Sequence, residues 1–328
     1  MLDFFKIRFI STFLLLQFFL SSVILADGPR VLVSIPPLYG LVAKIMRDVG
    51  DPEVLLDANV SPHVFHPTPH EMEKVVSSDI FIWVGPSLEL SLATLLNARK
   101  KISLAVMEAP GLRLLPLRSD ADFEAHDHAH GDKHDHGHHH ERHHDVGHTS
   151  TDPHVWLDPD NAMMILAYIK DVLQDKDPVH FEQYEKNYAQ ALKEIQQLKQ
   201  DLKKETQFIN EVPYIVFHDG YQYFEKAFEL KGLGSFVLEI DVPPSLKRIK
   251  MLERKIRDKG AQCLFAEPQF SQDLLNRLSD RYKISMGVLD YMGIGIPLGP
   301  HTYDLMMMRL VSSYKDCLHD KTRKSANP

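Results

Sequence analysis

"DPVHFEQYEKNYAQALKEIQQLKQDLKKETQFI", residues 177–209, decides the fold. Asp177 followed by Pro178 reads as an N-cap and a first helical residue, since proline lacks only an N–H that the first turn leaves unpaired anyway. No glycine or further proline follows before Ile209. Tyr184, Tyr188, Leu192, Ile195, Leu198 and Leu202 recur at spacings of three and four, the period of one apolar helical face. The stretch predicts a single amphipathic helix over 178–210, about 30 residues and about 45 Å long at ~1.5 Å per residue. One small lobe has no use for that length, so the helix is expected to run across two.

Strand–helix alternation flanks it on both sides. Before it come "RVLVSI" (30–35), ended by Pro36-Pro37, then "EVLLDANV" (53–60), "DIFIWVG" (79–85), a helical stretch from Ser87 to Ala98, and "ISLAV" (102–106). After it come "PYIVF" (213–217), "GSFVLEI" (234–240), "AQCLFAE" (261–267) and "ISMGVLD" (284–290), and a last helix from about Thr302 to Leu318. Short, continuously apolar runs alternating with helices indicate parallel sheets covered on both faces. The expectation is an α/β protein of two lobes, residues 27–177 and 211–328, each a small parallel sheet flanked by helices and joined by the long helix.

Composition bounds the function. The 328 residues are 44% hydrophobic and 25% charged, an ordinary globular balance. A net charge of −8 with no basic stripe argues against nucleic acid as a partner. Residues 1–26 read as a secretory signal: Lys6 and Arg8, a mostly apolar core from Phe9 to Leu20, and Ala26 at the cut. An uncleaved membrane anchor is the alternative, weakened by Ser11, Thr12, Gln17, Ser21 and Ser22. No other segment is apolar enough to span a bilayer, so no span is expected in the mature chain, which is read as a monomer. Export implies an oxidising compartment, where Cys263 and Cys317 are expected to form a disulfide rather than two free thiols.

The histidine count of 19 is abnormal. Eleven fall within 23 residues: His126, His128, His130, His134, His136, His138, His139, His140, His143, His144 and His148. Acidic residues separate them and almost nothing between 119 and 151 can be buried, so the segment reads as a solvated, mobile loop.

Other histidines stand at positions where open parallel sheets bind ligands, beyond the carboxyl ends of strands. His63 follows the second strand, His154 lies in "DPHVWLDP", and His218 comes directly after "PYIVF". Asp290 ends "ISMGVLD". A lone histidine at a strand end is often a hydrogen-bonded structural residue. Four donors so placed, fed by both halves of the chain, point to a metal site in an interlobe cleft. Glu267 and Tyr291 are candidates for groups that orient metal-bound imidazoles. His66 and His70 read as surface residues at the lip.

The pieces "SPHVFHPTP", "DIFIWVGPSLE", the His/Asp-rich loop, "DPHVWLDP", "FHDGYQYFEKAF", "CLFAEPQF" and "VLDYMGIGI" occur in an order that resembles one known family over essentially the whole mature chain. It is the zinc-binding periplasmic component of bacterial zinc ABC transporters, in the metal-specific cluster of solute-binding proteins. The resemblance implies ligation of Zn²⁺ by His63, His154 and His218, a cleft carboxylate at Asp290, and a disulfide between the two cysteines. It also implies delivery of zinc to an ABC permease and its ATPase in the inner membrane. Manganese-binding relatives carry glutamate where His218 stands, and imidazole suits zinc better than manganese. Some zinc members have a glutamate just before the first ligand histidine; here that position is Pro62. The fourth ligand is then Asp290 or a water.

Three histidines with a water also describe hydrolytic zinc sites, with Asp290 or Glu267 as base, although no substrate-pocket signature accompanies them. An adhesin or a periplasmic metal buffer without transport, or a manganese-type binding protein, are the other readings. The histidine-rich loop reads either as an inert solvated segment or as a weak accessory zinc trap that raises the local concentration near the cleft.

Overall fold

Two sheets of four strands, each wholly parallel, make up the two lobes of the computed structural model, which describes residues 28–97, 100–118, 151–237, 240 and 242–319. The N-terminal sheet is built from β1 (Val31–Val33), β2 (Glu53–Val54), β3 (Ile80–Trp83) and β4 (Ile102–Ala105), in spatial order β2-β1-β3-β4. The C-terminal sheet uses β5 (Tyr214–His218), β6 (Gly232–Val237), β7 (Cys263–Ala266) and β8 (Ser285–Val288), in order β6-β5-β7-β8. The two orders are the same. Each chain path reverses at its first strand, so each lobe opens a crevice at the carboxyl ends of its central strands, where such sheets take ligands.

Helices cover both sheets. They are α1 (Pro36–Ile45), α2 (Pro69–Ser77), α3 (Leu90–Asn97), α4 (Pro159–Lys176), α5 (Phe181–Thr206), α6 (Gln222–Phe228), α7 (Leu246–Asp258), α8 (Asp273–Tyr282) and α9 (Thr302–His319). The long helix is α5. Asp177-Pro178 opens a 3₁₀ turn, Pro178–His180, and regular α-helix begins at Phe181, giving 26 residues and about 39 Å. Its buried stripe is Tyr184, Asn187, Ala191, Ile195, Leu198, Leu202 and Thr206, while Tyr188 and Leu192 are half-buried at its edge. Asn187 lies on the stripe because its amide donates to the carbonyls of Ile45 (2.9 Å) and Arg47 (2.6 Å), which the end of α1 leaves unpaired.

Strand alternation shows how the lobes are joined. On β5, Tyr214 and Val216 face one side and Ile215 the other; on β7, Cys263 and Phe265 oppose Leu264 and Ala266. The first set belongs to a core continuous with the N-terminal lobe, α5 and α9. The second packs under α7 and α8 with Leu252, Ile256, Leu275 and Leu278. One face of the C-terminal sheet therefore shares its core with the other lobe.

Close backbone packing reinforces that seam. A Cβ on Gly40 of α1 would lie 2.5 Å from the backbone N of Tyr303 in α9, so only glycine permits this crossing. One turn on, the fully buried Lys44 places Nζ 2.6 Å from Glu194 of α5 and 2.7 Å from Asp304 of α9. Cys263 and Cys317 form the expected disulfide, with Cα atoms 6.0 Å apart, tying β7 to α9.

Three local outcomes differ from the sequence-based expectation. The predicted strand 53–60 pairs only to Leu56, whose N–H reaches Ser34 O. Asp57 Oδ1 then accepts the backbone and side-chain N–H groups of Asn59, an Asx turn that ends the extended run. Strand β8 stops at Val288, so Asp290 lies in the turn beyond it. The helix α4 adds an 18-residue element not expected from the sequence, capped by Asp158, which accepts from Asp160 N.

No helix among the described residues is long and apolar enough to cross a membrane. The signal segment 1–26 and all eleven loop histidines, 126 to 148, lie outside the described residues. Thr151 bridges Pro116 antiparallel, and Asp152 N–H donates to Leu115 O.

Candidate metal centre

His63 sits on a 3₁₀ turn, Pro62–Val64, between β2 and α2, and Ser91 Oγ holds that turn by donating to Phe65 O at 2.5 Å. His154 precedes a second 3₁₀ turn, Val155–Leu157, which leads into α4. His218 is the last residue of β5, and Glu267 follows β7, so this pair occupies the crevice of the C-terminal sheet.

The three rings converge. His63 Nε2 lies 3.1 Å from His154 Nε2, and His218 Nε2 lies 3.3 Å from the same atom. Ring centroids are 5.1, 5.5 and 5.1 Å apart, close to an equilateral triangle. His154 and His218 are buried and His63 half-buried.

Carboxylates fix two of the tautomers. Asp152 Oδ1 is 2.8 Å from His154 Nδ1, and Glu267 Oε1 is 2.5 Å from His218 Nδ1. An ionised carboxylate only accepts, so both Nδ1 atoms carry a proton, and when the rings are neutral both Nε2 lone pairs point at the centre. Lone pairs facing one another at this distance repel unless a cation lies between them. A tetrahedral zinc with Zn–N bonds of ~2.0–2.1 Å requires N···N edges of about 3.3 Å, which the observed 3.1 and 3.3 Å approach.

Protonation suits the same chemistry. Burial, then the neighbouring His154 and His218, push His63 well below the ordinary imidazole value. Burial also lowers His154, against the opposing pull of Asp152. His218 is equally buried, but the Glu267 carboxylate, joined by Asp219 and Asp152, outweighs that and raises it. Tyr291, fully buried, packs edge-on to His154 with centroids 5.6 Å apart and against His218 at 5.4 Å, closing the site from the C-terminal lobe.

Among the described residues, His63, His154 and His218 form a group whose donor atoms all lie within 4.8 Å of one another, with no carboxylate among them. Asp290 is not brought into it. Its Oδ1 accepts from Met292 N at 3.0 Å and Gly293 N at 2.9 Å, and its Oδ2 from Ile294 N at 2.6 Å, so it caps its own turn. Of the two expected orienting groups, Glu267 holds His218 directly and Tyr291 contributes packing. His66 and His70 are exposed and outside the group. Asp152, two residues before His154 in "DPH", escaped the sequence reading although that spacing was its signal.

The model of the family described as zinc-uptake complex component A, periplasmic (ZnuA), matches residues 31–317. The chain belongs to this family. The high-affinity zinc uptake system protein ZnuA of Brucella abortus is 37% identical over 318 residues, covering 92% of this chain and 95% of the relative. That of Yersinia pestis is 30% identical over 92% of this chain and 97% of its own length. A crystal structure of a ZnuA superposes with a TM-score of 0.72 at 22% identity, covering 89% of this chain and all of that one. The periplasmic zinc-binding protein TroA from Treponema pallidum gives 0.71 at 16% identity, over 89% and 99% of the two chains. These likenesses show that the family's two-lobed fold extends to this chain.

Proposed function

We propose that this protein captures Zn²⁺ as cargo between its lobes and hands it to an ABC permease driven by its ATPase. Zinc is held by Nε2 of His63, His154 and His218. The observation that carries the reading is the convergence of these three nitrogens, two of them fixed as acceptors by buried carboxylates. A water takes the fourth position, because among the described residues no carboxylate, Asp290 included, lies in the group with the three histidines. Three imidazoles favour zinc over manganese, which prefers oxygen donors. The protein is a carrier and not an enzyme, in keeping with its family's role in uptake. Residues 1–26 direct it to the periplasm. The histidines from 126 to 148 act as a loose accessory trap, and no single one of them is essential.

A chelator-competition titration of the mature protein lacking residues 119–150, with zinc and manganese in parallel, tests the proposal. The cut keeps the Pro116–Thr151 bridge. One tight zinc site with much weaker manganese is expected. Loss of tight zinc binding with the loop would instead describe a histidine-tract metal buffer.

A further inference from the structure

We infer that Gly220, which offers no donor to a metal, is the residue that allows His218 to be a zinc ligand. The inference rests on the proposed role of His218. Gly220 N–H donates to His218 O at 3.0 Å, a turn so tight that residue 220 folds back over the ring two positions earlier. A Cβ at 220 would lie 2.3 Å from His218 Nε2, 2.4 Å from His218 Cε1 and 3.2 Å from His154 Nε2. It would occupy the metal-facing edge of the site. The φ of Gly220 is not in the left-handed region, so the demand for glycine here is one of space and not of backbone conformation.

Neither partner in that clash can yield while the His218 ring keeps its place in the site. The His218 ring is held by Glu267 through Nδ1 and packed against Tyr221 and Tyr291, with centroids 5.9 and 5.4 Å away. Residue 220 leads directly into α6, whose Gln222 and Tyr223 are fastened to the other lobe. Gln222 Nε2 donates to Pro116 O at 3.0 Å and Asp152 Oδ2 at 3.2 Å, and Tyr223 OH donates to Asp152 O and accepts from Leu115 N. A side chain at 220 therefore turns the imidazole out of the site and leaves two histidines. Two imidazoles hold zinc weakly and discriminate less against oxygen-preferring metals. Glycine at 220 is thus the companion that an imidazole at 218 requires, and it sets zinc selectivity by what it lacks.

Four mature full-length chains test this: wild type, Gly220→Ala, His218→Ala and the double variant. Zinc and manganese affinities come from chelator competition, the donor set from the visible spectrum of bound Co²⁺, and metal-free stability from denaturant unfolding. Gly220→Ala is expected to lose about 100-fold or more in zinc affinity, like His218→Ala, with no further loss in the double variant. The intense cobalt bands of a four-coordinate site should disappear in all three variants. Any metal-free stability lost in Gly220→Ala should return in the double variant, where the clashing ring is gone. Gly220→Ala binding zinc within threefold of wild type while His218→Ala fails would overturn the inference and leave the ligand assignment standing. A double variant as unstable as Gly220→Ala would likewise overturn it. His218→Ala binding like wild type would remove the ligand reading and the inference together.

Discussion

Asp152 and His154 form a closed unit. Asp152 Oδ1 accepts the His154 backbone N–H at 3.0 Å and its Nδ1–H at 2.8 Å, so one oxygen fixes both the main chain and the ring of a proposed ligand. Its other oxygen accepts from Gln222 Nε2 of the opposite lobe. Removing such an orienting group typically costs 10–100-fold in metal affinity. Asp152→Ala should lose about that much in a zinc competition assay, with all three histidines still in place. Unchanged affinity would mean that packing on Trp156 and Tyr291 is enough to orient His154.

The pH dependence of binding should come mainly from His218. His63 and His154 lie below the ordinary imidazole value and are already neutral near pH 7. Burial would lower His218 too, but Glu267 raises it, so below that raised pKa the metal-free protein holds a proton that zinc must expel. Affinity should be flat at high pH, begin to fall above pH ~6.5, and then drop about tenfold per pH unit. Calorimetry in buffers of different ionisation enthalpy should count close to one released proton on the falling limb and almost none on the plateau. Glu267→Gln removes the raising charge and should move the fall to lower pH while weakening binding on the plateau.

The fold and the proposed ligands were legible for different reasons. Strands such as "DIFIWVG" announce themselves because both faces are covered, and the α5 stripe because its period survives over 26 residues. Of the proposed donors, His218 ends β5, while His63 and His154 lie on or beside 3₁₀ turns and were legible as histidines in loops. What stayed hidden depends on approach in space. Whether the Asp290 oxygens are free is decided by three backbone N–H groups of a turn that the sequence does not display. Lys44 meets partners 150 and 260 positions away. Gly220 matters only because a ring stands where its Cβ would be. The helix α4 carries a cap at Asp158 and Pro159 in its first turn, but it lies between the histidine run and α5 with only a short break at Asp177.

Glu89 gives a prediction about stability alone. It is 1% exposed, and its Oε2 accepts from Val84 N at 2.8 Å and Gly85 N at 3.2 Å. Burial, only partly offset by hydrogen bonds from Ser34, Gly85 and Val84, raises its pKa to about 7. The folded state then holds a proton that the unfolded chain releases near pH 4.5, so this residue's contribution falls as pH rises from 4.5 to 7. Glutamine mimics the protonated form and can still accept from both amides. Glu89→Gln should match wild type near pH 4.5 and exceed it by on the order of 3 kcal/mol at pH 8, read from denaturant unfolding at both values. Equal stability at pH 8 would show that Glu89 is ionised without penalty.

The last prediction concerns the seam that holds the lobes together. Lys44 is fully buried, while Glu194 and Asp304 keep about a fifth of their side chains in solvent. The cation neutralises carboxylates from the long helix and from α9 at once, and it draws Glu194 down to a pKa of about 2 after burial has acted in the opposite direction. Lys44→Met fills similar volume but removes the shared cation, leaving Glu194 to Arg47 and Gln190 and Asp304 to the exposed His301. Breaking a buried pair by removing one partner costs ~3–5 kcal/mol, and the partial exposure of the acids should hold the loss here to about 2–3 kcal/mol. Because the carboxylates cause the loss, Glu194→Gln and Asp304→Asn added to Lys44→Met should recover much of it, which packing loss alone would not allow. Denaturant unfolding of the metal-free protein, with the slope unchanged between variants, reads both effects. If Lys44→Met alone unfolds at the wild-type midpoint, the shared core and the Gly40–Tyr303 crossing hold the seam without the ion network.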